Sequence, residues 1–312
     1  MKIIHLAASA LLALSGALHA APIEVTHAQG TTVLPATPQR TVVFDLATLD
    51  NLQALQVEAV VGVPGANFPA HLSGYADDRY AKVGTLFEPD LDAVRALEPD
   101  LIVVAGRSAS ALEALSAIAP TVDLGTSTDD FLADVGRNLE TLGRIYGKQA
   151  LATQRIAELH QGRDAVAARA GEARGLVLFT VNGNVMAHAP GARFGIVHDA
   201  LGLGAVLPEE APSTGPRPER GSPEAEAARI EQARTLTAGL QAQPDWLLVL
   251  DRGLATGGGE ATDLSSHEAV AATAAWQAGR VVTLDPPGWY LAAGGYTVLR
   301  DTQAQLLELL QR

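Results

Sequence analysis

Pro99-Asp100-Leu101-Ile102-Val103-Val104-Ala105-Gly106-Arg107 and Pro244-Asp245-Trp246-Leu247-Leu248-Val249-Leu250-Asp251-Arg252 are two copies of one pattern, 145 residues apart in a chain of 312. Each opens on a Pro-Asp turn, runs through apolar residues without polar alternation and reaches an arginine. A strand covered on both faces reads this way, as in parallel sheets flanked by helices. A second echo pairs residues 55–61 (LQVEAVV) with residues 201–207 (LGLGAVL), 146 apart. Two offsets that agree within one residue predict two similarly built lobes rather than one continuous sheet.

Working outward, residues 41–46, 59–63, 175–181 and 281–284 are further short apolar runs, and residues 91–97, 109–118 and 194–201 carry helical spacing. Strands alternating with helices predict an α/β protein with mainly parallel sheets, here two Rossmann-like lobes. In residues 129–170, Leu132, Val135, Leu139, Leu142 and Tyr146 step by three and four, Gly147 interrupts, and a second pattern continues through Ile156 and Leu159. The expected division is an N-terminal lobe at residues 22–145, a single long connecting helix at 146–171 and a C-terminal lobe at 172–312, with a ligand cleft between the lobes. A helical connection limits the lobes to small closing motions, whereas paired extended strands hinge widely. Residues 212–231, rich in Pro, Gly and charge, read as an exposed, mobile loop.

At the N-terminus, Met1-Lys2 precedes an apolar stretch that ends on His19-Ala20-Ala21-Pro22, the pattern of a secretory signal peptide over residues 1–21. The stretch is too short for a membrane span. The sequence has no cysteine, so no disulfide, thiolate metal site or lipid-accepting cysteine is expected. These features imply a protein free in the periplasm of a two-membrane bacterium. The net charge of −13 becomes one unit more negative once Lys2 is removed, which argues against nucleic acid and anionic membranes as partners. A few clustered arginines can still hold a small anion.

The repeat sets Arg107 and Arg252 just past the C-terminal ends of equivalent strands, the edge where open parallel sheets bind ligands. If the lobes face each other, both planar guanidinium forks point into one cleft; otherwise each merely ends a strand and pairs with a local carboxylate. Arg193, in a turn that opens the helix at 194–201, faces the same cleft or covers the turn. Tyr290, in a loop after the strand at 281–284, either packs as one of an aromatic pair or offers a phenolate oxygen, a hard donor suited to Fe(III). Trp246 and Trp289 are expected near the cleft. His198 reads as structural. The nucleophile elbow, the phosphate loop and the His-Glu-x-x-His helix are all missing from the sequence, so no enzymatic activity is expected.

Residues 41–46 (TVVFDL), 82–91 (KVGTLFEPDL), 105–108 (AGRS), 193–199 (RFGIVHD), 249–252 (VLDR) and 284–291 (LDPPGWYL) together resemble periplasmic iron–siderophore binding proteins of ABC importers, most closely the ferric catecholate type. The resemblance covers residues 40–312. It implies Fe(III)–siderophore as ligand, no permanently bound cofactor, and an arginine triad that falls on Arg107, Arg193 and Arg252. It places a tyrosine that completes iron coordination at Tyr290, and an inner-membrane permease as partner, engaged through Glu88 or Asp92. A monomer is expected. Two features depart from the family pattern: residues 212–237 hold no histidine to join Tyr290, and residues 237–240 lack the acid expected to dock the C-terminal lobe. The same fold carrying haem or a corrinoid is the nearest alternative, with a metal-ion receptor or an exported hydrolase further off.

Overall fold

A computed structural model describes residues 21–211, 218–257 and 259–311; the expected signal peptide (apart from Ala21) and residues 212–217 of the expected loop lie outside the described residues. A hairpin of β1 (Ile23–His27) and β2 (Gly30–Leu34) leads into the first sheet. That sheet contains β3 (Thr41–Val43), β4 (Val60–Val63), β5 (Ala81–Lys82), β6 (Leu101–Val104) and β7 (Thr121–Asp123). They are all parallel, in the order β5-β4-β3-β6-β7. The helices α1 (Leu46–Ala54), α2 (Leu91–Ala96) and α3 (Leu112–Ser116) lie in its crossovers. Two longer helices follow, α4 (Phe131–Ile145) and α5 (Gln149–Ala170).

The second sheet contains β8 (Arg174–Val181), β9 (Asn184–His188), β10 (Gly204–Ala205), β11 (Trp246–Asp251) and β12 (Val281–Thr283). The parallel order is β10-β8-β11-β12, with β9 antiparallel on β8. Around it lie α6 (Ile196–Leu201), α7 (Pro223–Gln241), α8 (Arg252–Ala255), α9 (Glu268–Ala271), α10 (Ala274–Gln277), α11 (Pro286–Leu291) and the C-terminal α12 (Tyr296–Leu309).

The internal repeat is visible in the backbone. Asp100 and Asp245 hold equivalent places: Asp100 accepts from the amides of Gln39 and Arg40 just before β3, and Asp245 accepts from the amide of Arg174 at the start of β8. Each carboxylate thereby fixes the start of its strand against the next one. The residue before each Pro-Asp pair is left-handed, Glu98 at φ 44° and Gln243 at φ 51°. The second echo also matches, with Gln56 at φ 55° and Gly202 at φ 73° each turning a helix end into a strand. Non-glycine residues adopt this region only when the fold requires it. Every residue of β6 and β11 is buried, which explains their unbroken apolar runs.

α4 buries Leu132, Val135, Leu139 and Leu142 on the face read from the sequence. Gly147, left-handed at φ 67°, ends that helix, and α5 then runs for 22 residues between the two sheets in chain order. α5 buries only Ala152, Leu159 and Val166, one narrow stripe seven residues apart. A Cβ on Gly143 would stand 2.6 Å from the Ala152 methyl, so α4 and α5 approach closely there. α12 returns across α5, α1 and α6. Its buried Gln303 donates to Leu159 O at 3.1 Å and Ala200 O at 2.9 Å.

The start of α12 is held by α1. Asn51 donates to Gly294 O (3.2 Å) and accepts from Tyr296 N (2.9 Å). The fully buried Asp50 accepts from Thr297 N at 2.9 Å and Val298 N at 3.3 Å, capping the amides that a helix start leaves unpaired. His71 Nε2 lies 3.3 Å from the same carboxylate. A side chain on Gly295 would strike Asp50.

Two expectations are corrected. Residues 223–231 belong to α7 and not to a loop: Ser222 caps the helix by accepting from Ala225 N, Pro223 occupies its first turn, and Glu224 and Glu226 face its positive end. The proline that suggests a loop thus marks a helix start. Trp246 opens β11 at the edge opposite Arg252, roughly 20 Å away at the usual rise per residue, and does not border the cleft. Among the described residues, no helix is long and apolar enough to cross a membrane.

Candidate ligand cleft

The strand ends position the first two arginines. β6 passes through Ala105 into a 3₁₀ turn, Gly106–Ala111, where Ser108 N donates to Ala105 O and Ser108 Oγ accepts from Ala105 N. This closed turn presents Arg107. β11 ends on Asp251, whose carboxylate takes Thr180 Oγ1 (2.6 Å), Thr262 N (2.8 Å) and Leu254 N (3.2 Å). Burial raises the proton affinity of Asp251, but those donors outweigh it and hold its pKa below the usual value. As an ionised cap it fixes the start of α8, where Arg252 sits.

Arg193 stands in a tight turn at residues 189–195. Gly191 is left-handed at φ 86° against the backbone of Glu210, and Gly195 leaves no room for a Cβ beside Ala189 O. Tyr290 lies on α11, which begins on Pro286 with Asp285 as cap. The neighbouring Trp289 is fully buried, with Nε1 donating to Thr302 Oγ1 on α12 at 2.9 Å. With the tryptophan anchored, the tyrosine is left half-buried.

The four sequence-derived residues come together. The guanidinium carbons of Arg107, Arg193 and Arg252 lie 5.4, 5.4 and 5.8 Å from the centre of the Tyr290 ring. Arg252 Nε donates to Tyr290 Oη at 3.0 Å, and Arg107 Nη2 donates to Tyr290 O at 2.6 Å, bridging the lobes. Among the described residues, neither Arg107 nor Arg252 has a carboxylate within 4 Å. Neither therefore closes a local ion pair at its strand end. Burial pushes the Tyr290 phenol up, yet the Arg252 hydrogen bond and the charges of Arg252, Arg193 and Arg107 prevail, so its pKa is lowered. Positive charge gathered around a phenol with a lowered pKa suits an anionic ligand bearing a hard cation.

A cavity of about 220 Å³ adjoins the cluster, lined by both lobes: Arg107, Thr126 and Asn138 on one side, Arg193, Trp289 and Tyr290 on the other. Asp45, the cap of α1, also borders it; burial raises its pKa against the opposing pull of its Thr48 bonds and of Arg107. Glu88 and Asp92 are both exposed, on the turn before α2 and in its first turn, and Asp92 pairs with Arg95 at 2.7 Å. His198 is buried, and its Nδ1 bonds Leu203 O at 3.0 Å. Among the described residues, no cluster of His, Asp or Glu is arranged to hold a bare metal ion.

Sequence reading missed the aromatic floor behind Tyr290. Phe179 at the end of β8 stacks on Phe194 (4.6 Å between centres) and lies nearly parallel to Tyr290 at 6.2 Å. His188 meets Phe194 edge-on at 5.2 Å. The signal was present in the adjacency of Phe194 to Arg193, but pairing between β8 and β9 was needed to bring in His188 and Phe179. Burial, with Arg193 adding to it, holds the His188 pKa down to about 4. Unfolded, this histidine binds a proton near pH 6.5, so between those values the unfolded chain carries more protons and stability falls as pH drops. His188→Phe is expected to remove about 2 kcal/mol of the stability loss between pH 7.5 and 5. Urea unfolding of both proteins at the two pH values measures this; equal losses contradict it.

Two lobes of repeated α/β design with a cleft between them define a binding protein, and the chain belongs to the periplasmic binding protein family, whose model matches residues 42–287. The petrobactin-binding protein YclQ of Bacillus subtilis (strain 168) is 32% identical over 268 residues, 85% of this chain and 80% of that protein. The ferric-anguibactin-binding protein FatB of Vibrio anguillarum is 29% identical over 288 residues, 89% of this chain and 84% of its own length. The crystal structure of YclQ superposes with a TM-score of 0.81 at 30% identity, covering 93% of this chain and 99% of that one. The siderophore-binding protein BauB, bound to two acinetobactin molecules and ferric iron, gives 0.76 at 28% identity, covering 93% and 99%. The family consists of substrate-binding proteins and not enzymes, in keeping with the missing catalytic motifs.

Proposed function

We propose that this protein captures a ferric siderophore, of catecholate or mixed type, in the periplasm and delivers it to an ABC importer. The observation that carries the reading is the triad of guanidinium groups converging on one tyrosine across the lobes. A ferric catecholate is multiply anionic, and charge-assisted hydrogen bonds from Arg107, Arg193 and Arg252 neutralise it. Iron organises the chelator, so shape and charge together favour the loaded form. Tyr290, with its pKa lowered, supplies a phenolate oxygen where a chelator leaves iron incompletely coordinated. The lobes are residues 22–145 and 172–312, bridged by residues 146–171, and the protein acts as a monomer. With no cysteine to accept a lipid, the processed chain moves freely, and Glu88 and Asp92 meet the permease.

Trp289 borders the cavity and reports occupancy. A ferric catecholate is expected to quench its fluorescence saturably in the submicromolar range, with ferric hydroxamate and haem much weaker, and Trp289→Phe should remove most of the signal. Saturable quenching by haem alone supports the haem alternative. No response to any ferric chelate overturns the siderophore reading.

A further inference from the structure

Phe87 has no role in the arrangement described so far, yet the chain holds its ring in water with considerable care. It is 62% exposed, the only aromatic among the large exposed hydrophobic side chains of the described residues. Exposure of that degree commonly accompanies a loose loop, but the turn that carries Phe87 is closed from several directions. Thr85 Oγ1 accepts from both Phe87 N (3.2 Å) and Glu88 N (3.0 Å), and Thr85 N donates to Glu88 O at 2.9 Å. Gly84 is left-handed at φ 104°, bridges to Pro89, and leaves no space for a Cβ beside Glu88 O and Asp90 N. Gly65 N ties the base of the turn by donating to Gly84 O at 2.7 Å.

The ring's position gives that rigidity a purpose. The Arg107 guanidinium lies 6.0 Å from the centre of Phe87 and 5.4 Å from the centre of Tyr290. One arginine thus lies close to two aromatic rings, one from each lobe. Tyr290 is backed by Phe179 and Phe194, whereas Phe87 is open to solvent beside Arg107. An anion held by Arg107 sits beside both rings.

We infer that Phe87 is a specificity-determining contact that stacks on an aromatic arm of the bound chelate, so the site prefers ring-bearing ferric chelates over aliphatic ones of similar charge. The inference rests on the function proposed above. The arginines read charge, which a ferric citrate and a ferric catecholate share. The Phe87 ring reads a flat apolar face, which only the second provides.

The test uses the whole processed chain, with a ferric tris-catecholate and ferric dicitrate titrated against Trp289 fluorescence. Phe87→Ala is expected to weaken the catecholate roughly 3- to 12-fold, the size of a lost aromatic contact, and to change dicitrate by less than about twofold. Phe87→Trp is expected to retain catecholate affinity. Because Phe87 is exposed, neither substitution should alter the melting temperature. Equal weakening of both chelates, or unchanged catecholate affinity in Phe87→Ala, overturns the inference while leaving the function standing. Normal catecholate binding by Phe87→Ala combined with failed delivery to the importer also overturns it and assigns the ring to permease contact. Wild-type protein that binds neither chelate removes the underlying function itself.

Discussion

Arg252→Ala is expected to weaken binding of a ferric catecholate by about 30- to 150-fold, the equivalent of about 2–3 kcal/mol for a charge-assisted bond to the ligand lost from the cleft. The same substitution removes the donor to Tyr290 Oη and the largest of the forces lowering its pKa. The phenol is therefore expected to titrate at higher pH in the variant, visible as a shift in its ultraviolet phenolate absorbance. Arg252→Lys keeps the charge but lacks the planar fork, so it should recover only part of the affinity. Arg107→Ala should show a comparable loss and also break the bond to Tyr290 O. Raising salt is expected to weaken wild-type binding more than that of either variant, because part of the attraction is screened Coulomb energy. Affinity of Arg252→Ala within twofold of wild type would show that the triad does not hold the ligand.

Asp50→Ala is expected to cost about 3–4 kcal/mol of stability, since it leaves two amides of α12, one buried and one partly buried, without an acceptor. Asp50→Asn keeps an acceptor oxygen and should cost roughly 1 kcal/mol. The urea midpoint of each variant measures the difference; a loss below 1 kcal/mol in the alanine variant would mean that other contacts fix the start of α12. Asp50 lies on α1 and its partners lie just past α11, so the alanine variant should also bind chelate more weakly through a displaced Tyr290.

These two predictions rest on parts of the molecule that differ in how readily the sequence discloses them. The arginines were legible because a parallel sheet delivers the residue after each buried strand to one edge, and the repeat Pro99–Arg107 against Pro244–Arg252 counted that edge twice. Tyr290 and Arg193 stayed open between cleft and packing when read from their own residues; only the family resemblance set them beside Arg107 and Arg252, and Tyr290 lies on the short helix α11 and not in a loop. Asp50 and Asn51 were not: within α1 they look like two ordinary polar residues, and their partners lie more than 240 positions away. Nothing local distinguishes a carboxylate that caps a distant helix from one that faces water. α7 was misread because Pro, Gly and charge preceding a helix resemble a loop until Ser222 is recognised as its cap. The aromatic floor depended on strand pairing, which brings His188 opposite Val177 and so beside Phe179. Trp246 shows the reverse error, in which sharing a strand with Arg252 was mistaken for sharing an end of it.

The dependence of α12 on α1 also bears on the independence of the two halves. Although each half repeats the other's strand design, the last helix of the second takes its opening amide bonds from a carboxylate and a carboxamide of the first. Neither half is a self-sufficient folding unit: severed from the first, the C-terminal half would begin its final helix uncapped, and the N-terminal half would lose the amides that its Asp50 and Asn51 side chains bind. Internal repetition here has led to mutual dependence, and the molecule should melt in one cooperative step instead of lobe by lobe.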